Sequence, residues 1–125
     1  MYHNAAHAYE NVNRSTISGR ETEARVLTQA ALKLIKVQQN WEDAHRNELL
    51  DDALSYNQRL WSLLQTELAQ PDNPLPEKVR FDILRLSKFI DKRIYETIAF
   101  PTPEKLDIII KINQNLAAGL RGSAA

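Results

Sequence analysis

The sequence predicts an all-α protein, a single small domain of about four helices forming a bundle or packed helical hairpins. Three observations carry this. Apolar residues recur three and four positions apart over long stretches, no stretch alternates apolar with polar as a half-buried strand would, and glycine and proline are confined to a few junctions. With 125 residues the chain suits one domain, and 43% hydrophobic residues can supply its core.

Residues 1–17 are polar and asparagine-rich without a period, and read as a flexible N-terminal arm; the helical domain spans 18–122, and 123–125 read as a frayed tail. Ser18 and Glu21 have the spacing of a capping box, which places a helix start there. Ala24, Leu27, Ala31, Leu34 and Ile35 form the stripe of this first helix, expected to end near Asn40. A second helix is expected from about Trp41 to Ala69, with Leu50, Ala53, Leu54, Leu60, Trp61, Leu64 and Leu68 along one arc. Pro71, Pro74 and Pro76 end it, since proline lacks the amide that a helix interior requires.

Pro76 suits the first position of a third helix, whose seam reads as Val79, Ile83, Leu86, Ile90 and Ile94. Phe100-Pro101-Thr102-Pro103 breaks that helix, Thr102 serving as cap and Pro103 opening a fourth. The fourth helix carries Leu106, Ile109, Ile110, Leu116, Ala117 and Leu120.

Composition excludes several chemistries. Sixteen basic and sixteen acidic residues give zero formal charge, so bulk charge points to neither nucleic acid nor an acidic substrate. There is no cysteine, hence no disulfide, thiolate nucleophile or cysteine-ligated metal. Three glycines, two of them near the C-terminus, leave no glycine-rich phosphate loop. His3 and His7 are four apart but lack further ligands, His45 sits among charged residues, and Glu48, Asp51 and Asp52 read as a solvated helix face. No enzyme activity, metal or cofactor is expected. The start is not a signal peptide, and no apolar run reaches the ~18 residues of a membrane span, so the expected location is cytoplasmic.

Three features point to binding. Asn57 and Asn113 lie at the centres of the apolar arcs of the second and fourth helices. A buried amide without partners costs about 1–3 kcal/mol, so each should be hydrogen-bonded, to the other, to a loop backbone or to a bound partner. Charge is unevenly spread: Glu42 to Asp52 holds five acids against one arginine, and Lys78 to Tyr95 six bases against two acids. Lys78, Phe81, Arg85, Lys88, Lys92 and Tyr95 share the side of the third helix opposite its seam, a basic face with two aromatics suited to single-stranded RNA or simply solvated. Val26, Ala30 and Val37 lie off the first helix's stripe and Ile108 and Ile112 off the fourth's; of these, Val26, Val37, Ile108 and Ile112 are the candidate partner-binding residues, with self-association or core closure as alternatives.

The opening Met1-Tyr2, the stretch Ala53-Leu54-Ser55-Tyr56-Asn57-Gln58-Arg59-Leu60-Trp61, Leu64 to Leu68 running into Pro71-Asp72-Asn73-Pro74-Leu75-Pro76, and Ile112-Asn113-Gln114-Asn115-Leu116-Ala117-Ala118-Gly119-Leu120 together resemble the FlaF family of flagellar biosynthesis regulators. The resemblance runs from about Glu21 to Gly122; Asn11 to Ile17 and Ile94 to Lys105 fit it poorly. It implies a cytosolic helical protein that binds flagellin as a chaperone or export adaptor, promotes flagellin synthesis and secretion, and acts alongside an FlbT-type regulator. Two other readings stand beside it: an RNA-binding post-transcriptional regulator of flagellin mRNA using the basic face, and a structural helical homo-oligomer. The oligomeric state is open.

Overall fold

The computed structural model describes the backbone of residues 2–122 and the side chains from Arg20 onward. Four helices follow one another: α1 (Tyr2–Gln39), α2 (Arg46–Leu68), α3 (Glu77–Ala99) and α4 (Asp107–Gly122), with a 3-10 turn (Pro103–Leu106) leading into α4. There are no strands among the described residues, and the chain is a single all-α domain.

The helix bounds correct the expected start at Ser18. Ser18 lies inside α1, whose backbone is helical from Tyr2. The stretch before it lacks an apolar period, but it contains neither proline nor glycine. Once a helix is nucleated, each further residue adds a hydrogen bond, and polarity alone does not stop propagation. The side chains of the predicted arm, and the tail 123–125, fall outside the described residues.

α2 begins five residues later than expected. Asn40 and Asp43 take the backbone into a turn: Asn40 Nδ2 donates to the Lys36 carbonyl at 2.8 Å, and Asp43 Oδ1 accepts from the His45 amide at 2.7 Å. Such short polar side chains offer the backbone an alternative to the helical ladder. Trp41 is half-buried under the Arg46 guanidinium, which lies 4.6 Å from its ring centroid. At the next junction Asn73 accepts from the Leu75 amide and donates to the Glu67 carbonyl, and Pro76 caps α3 one residue earlier than the expected first position. Thr102 occupies the cap position before the 3-10 turn with no side-chain bond; its carbonyl accepts from the Lys105 amide at 3.3 Å.

α1 is the central helix. It packs along α4 most extensively, then against α2, while α3 packs mainly on α2 and only touches α4 and the 3-10 turn. Among the described residues α1 and α3 do not meet. This explains why the core of α1, made by Ala24, Leu27, Ala30, Ala31, Leu34 and Val37, is wider than one stripe. A helix covered on two sides must bury two adjoining faces. Gln38 ties the far end together, donating to the Pro103 carbonyl at 2.9 Å and to Asp107 Oδ1 at 2.6 Å.

The buried stripe of α3 differs from the one predicted. It consists of Ile83, Ser87, Ile90, Ile94 and Thr97, whereas Val79 and Leu86 stand on its flank, 40% and 37% exposed. Ser87 and Thr97 enter an apolar interface because each hydroxyl donates to its own helix, to the Leu84 and Arg93 carbonyls. A hydroxyl satisfied in this way brings no orphaned donor into the core.

Candidate functional site

A line of polar groups crosses the centre of the core. Trp61, Asn57 and Asn113 are fully buried. Trp61 Nε1 donates to Asn113 Oδ1 at 2.9 Å, Asn113 Nδ2 donates to Asn57 Oδ1 at 2.6 Å, and Asn57 Nδ2 donates to the carbonyls of Ala53 at 2.8 Å and Ala30 at 3.2 Å. The chain of bonds joins α2 to α4 and then α2 to α1. The two amides thus bond each other and leave no group directed at a ligand. Their role is to fix which residues of three helices face one another, since a slip of any helix would strand buried donors and acceptors.

The four residues expected to bind a partner do not form a free face. Val37 is 1% exposed and belongs to the core, as does the neighbouring off-stripe Ala30. Val26, Ile108 and Ile112 are half-buried and packed against that core. The cause is the central position of α1: what looks like a second, unused face is covered by a second neighbour.

Apolar surface appears on α3 instead. Val79, Leu86 and Phe89 lie along the flank of the buried stripe turned away from Asp91, whose carboxylate reaches α2 by accepting from Gln65 Nε2 at 2.9 Å. Phe89 is 39% exposed, and the Arg93 guanidinium lies over its ring at 5.6 Å while pairing with Glu96 at 3.5 Å. Arg93 Nε is buried without a hydrogen-bond partner. Phe100, just past the helix, is 76% exposed, with the Lys105 ammonium near its ring. Sequence reasoning did not single out Phe89 and Phe100, although two phenylalanines outside every stripe were the available signal.

The outward side of α3 carries Lys78, Phe81, Arg85, Lys88, Lys92 and Tyr95, all six exposed. The structure therefore places the predicted basic face in solvent, with Phe81 and Tyr95 not tucked against neighbours.

One pair of groups was invisible in the sequence. Glu23 of α1 is hydrogen-bonded to Glu67 of α2, in a cleft also lined by Arg20, Gln70, Asn73 and Leu75. Burial, then the bond and the negative charge of Glu67, push the Glu23 carboxyl up to about 7, against a smaller lowering by Arg20. The raised Glu23 carboxyl therefore holds its proton well above the usual carboxylate range. The cleft lining offers it no histidine, serine or lysine. His45 is exposed and 3.7 Å from Glu48, and Asp52 pairs with Lys33 at 2.9 Å. His3 and His7 lie outside the described side chains. Among the described residues no group of three acidic or histidine side chains could hold a metal, and no helix is long and apolar enough to cross a membrane.

These features define a small four-helix protein with a buried polar line through its core and, among the described residues, its exposed aromatics gathered on and just past one peripheral helix. The chain belongs to the flagellar protein FlaF family, whose model matches residues 5–120. Membership gives it a role in flagellar biosynthesis. No curated protein and no solved structure matches it significantly.

Proposed function

We propose that this chain binds flagellin in the cytoplasm as a chaperone or export adaptor, and so promotes flagellin synthesis and secretion alongside an FlbT-type regulator. The supporting observation is the apolar strip of Val79, Leu86 and Phe89 on α3, with Phe100 just past its end, which the protein's own core leaves uncovered. On this reading the chain covers the sticky helices that flagellin would bury in the filament. An amphipathic helix laid along exposed aliphatic and aromatic side chains is the ordinary way to do this. Each large side chain so covered contributes roughly 1.5–3 kcal/mol.

The test is retention of purified flagellin by the intact chain and by Leu86→Ser with Phe89→Ser, residues exposed enough to replace without unfolding the core. The parent should retain flagellin and the double variant should lose it while keeping its helical spectrum. Failure of the parent to retain flagellin would remove the reading. A second reading, binding of flagellin mRNA, is favoured by the exposure of all six residues on the outward face of α3. If the mRNA leader is retained instead, with affinity falling steeply as salt rises, that reading replaces the first.

A further inference from the structure

α3 has two seams. The inner one steps through Ile83, Ser87, Ile90, Ile94 and Thr97 and is buried against the rest of the domain. The outer one steps through Lys78, Phe81, Arg85, Lys88, Lys92 and Tyr95, again three and four residues apart, and all six are exposed. At ~100° per residue the two run along opposite sides of the helix. Alternating steps of three and four are the spacing by which one helix receives another along its length. From Lys78 to Tyr95 this seam extends about 25 Å, at ~1.5 Å per residue.

Its chemistry limits the occupant. Phe81 and Tyr95, 53% and 77% exposed, sit towards its two ends. Between and beside them, Lys78, Arg85, Lys88 and Lys92 have no carboxylate within salt-bridge distance among the described residues, whereas Arg93 on the flank of the same helix has Glu96. Long basic side chains cover a partner with their aliphatic stems and present charge at the rim. A second copy of α3 would place lysine and arginine against lysine and arginine in either direction, so the seam disfavours self-pairing. Nucleic acid is a poorer fit, because positions 81 and 95 are about 21 Å apart along the helix axis, too far for successive bases to stack on both rings.

We propose that the outer seam of α3 is a docking surface for an acidic amphipathic helix of another protein, with apolar residues meeting Phe81 and Tyr95 and carboxylates meeting Lys78, Arg85, Lys88 and Lys92. This goes beyond the flagellin reading, which uses the adjoining strip and is tested by different substitutions.

The experiment titrates the full chain into three fluorescent probes. Two are helical peptides of about three heptads with identical leucine seams, one flanked by glutamate and the other by lysine. The third is a uridine oligomer. The glutamate peptide should bind about tenfold more tightly than the lysine peptide, and less tightly as salt rises from about 50 to 300 mM. Lys88→Glu with Lys92→Glu should abolish the preference between the peptides, since two bases and two acids then line the seam. Phe81→Ser with Tyr95→Ser should weaken both without changing the order. Equal affinity for the two peptides, binding of neither, tighter binding of the uridine oligomer, or a dimer abolished by Lys88→Glu with Lys92→Glu would each overturn the proposal. None of these results depends on whether flagellin is retained.

Discussion

The Asn113 side-chain amide donates to the Asn57 side-chain oxygen at 2.6 Å, so α4 is locked to α2 by two groups that water does not reach. Asn113 also accepts from Trp61, and Asn57 also donates to α1. Replacing Asn113 with leucine leaves two buried groups unpaired, the Trp61 N–H and the Asn57 oxygen. At about 1–3 kcal/mol for each stranded group, the loss should be roughly 3 kcal/mol in chemical denaturation. Asn57→Leu should cost a similar amount. The double variant should cost less than the sum, because the interaction between the two amides is then counted once. Simple additivity of the two losses would show that the amides act independently.

Trp61 is fully buried and bonded to α4. Trp61→Ala should destabilise by about 3–5 kcal/mol, as large aromatic truncations do. Trp61→Phe should cost less, retaining most of the packing but removing the donor to Asn113. A melting temperature for Trp61→Ala close to the parent's would contradict the burial.

Val37 belongs to the core and not to a binding face. Val37→Ala should lower stability by about 2 kcal/mol through lost burial and the cavity left behind. Flagellin binding measured well below the melting temperature should be unchanged. Loss of binding by a folded Val37→Ala protein would restore this residue to the partner surface.

Glu23 gives stability a pH dependence of defined sign. In the unfolded chain its carboxyl loses its proton around 4.5, whereas in the folded protein it holds it up to about 7. The folded state therefore binds the extra proton between these values, and stability falls as pH rises through that window. Full strength is expected below the lower value, and the contribution is gone above the higher one. Because Glu23 is only half-buried, solvent screening reduces the effect to the order of 1 kcal/mol. Glu23→Gln should flatten the stability profile between pH 4.5 and about 7. An unchanged slope would show that the Glu23 carboxyl is not raised in the folded protein.

Helix number and the two core amides were legible because apolar spacing and a polar residue at the middle of an apolar arc are local signals. The partners of those amides were less so: the Ala30 carbonyl that receives Asn57 is 27 residues away, and nothing in the spacing selects it. The inner seam of α3 was misread because Ser87 and Thr97 carry hydroxyls that the helix itself satisfies, so hydrophobicity skips them and settles on Val79 and Leu86. Val37 was misassigned because a one-face rule fails for a helix with neighbours on two sides. Glu23 and Glu67 meet only through tertiary packing.

The pairing of α1 with α4 has a consequence for how the chain is made. Gln38 and Asp107 are 69 residues apart, and Thr28 and Arg121 are 93 apart. α1 leaves the ribosome long before the helix that covers it most. At about 5–20 residues per second, the leucine and alanine face of nascent α1 waits several seconds for α4, with only α2 to shield it in the interval. Contacts this distant in sequence slow the final closure further. The protein is therefore sticky during its own synthesis, and a ribosome stalled between α2 and α4 would release a fragment with that face still open.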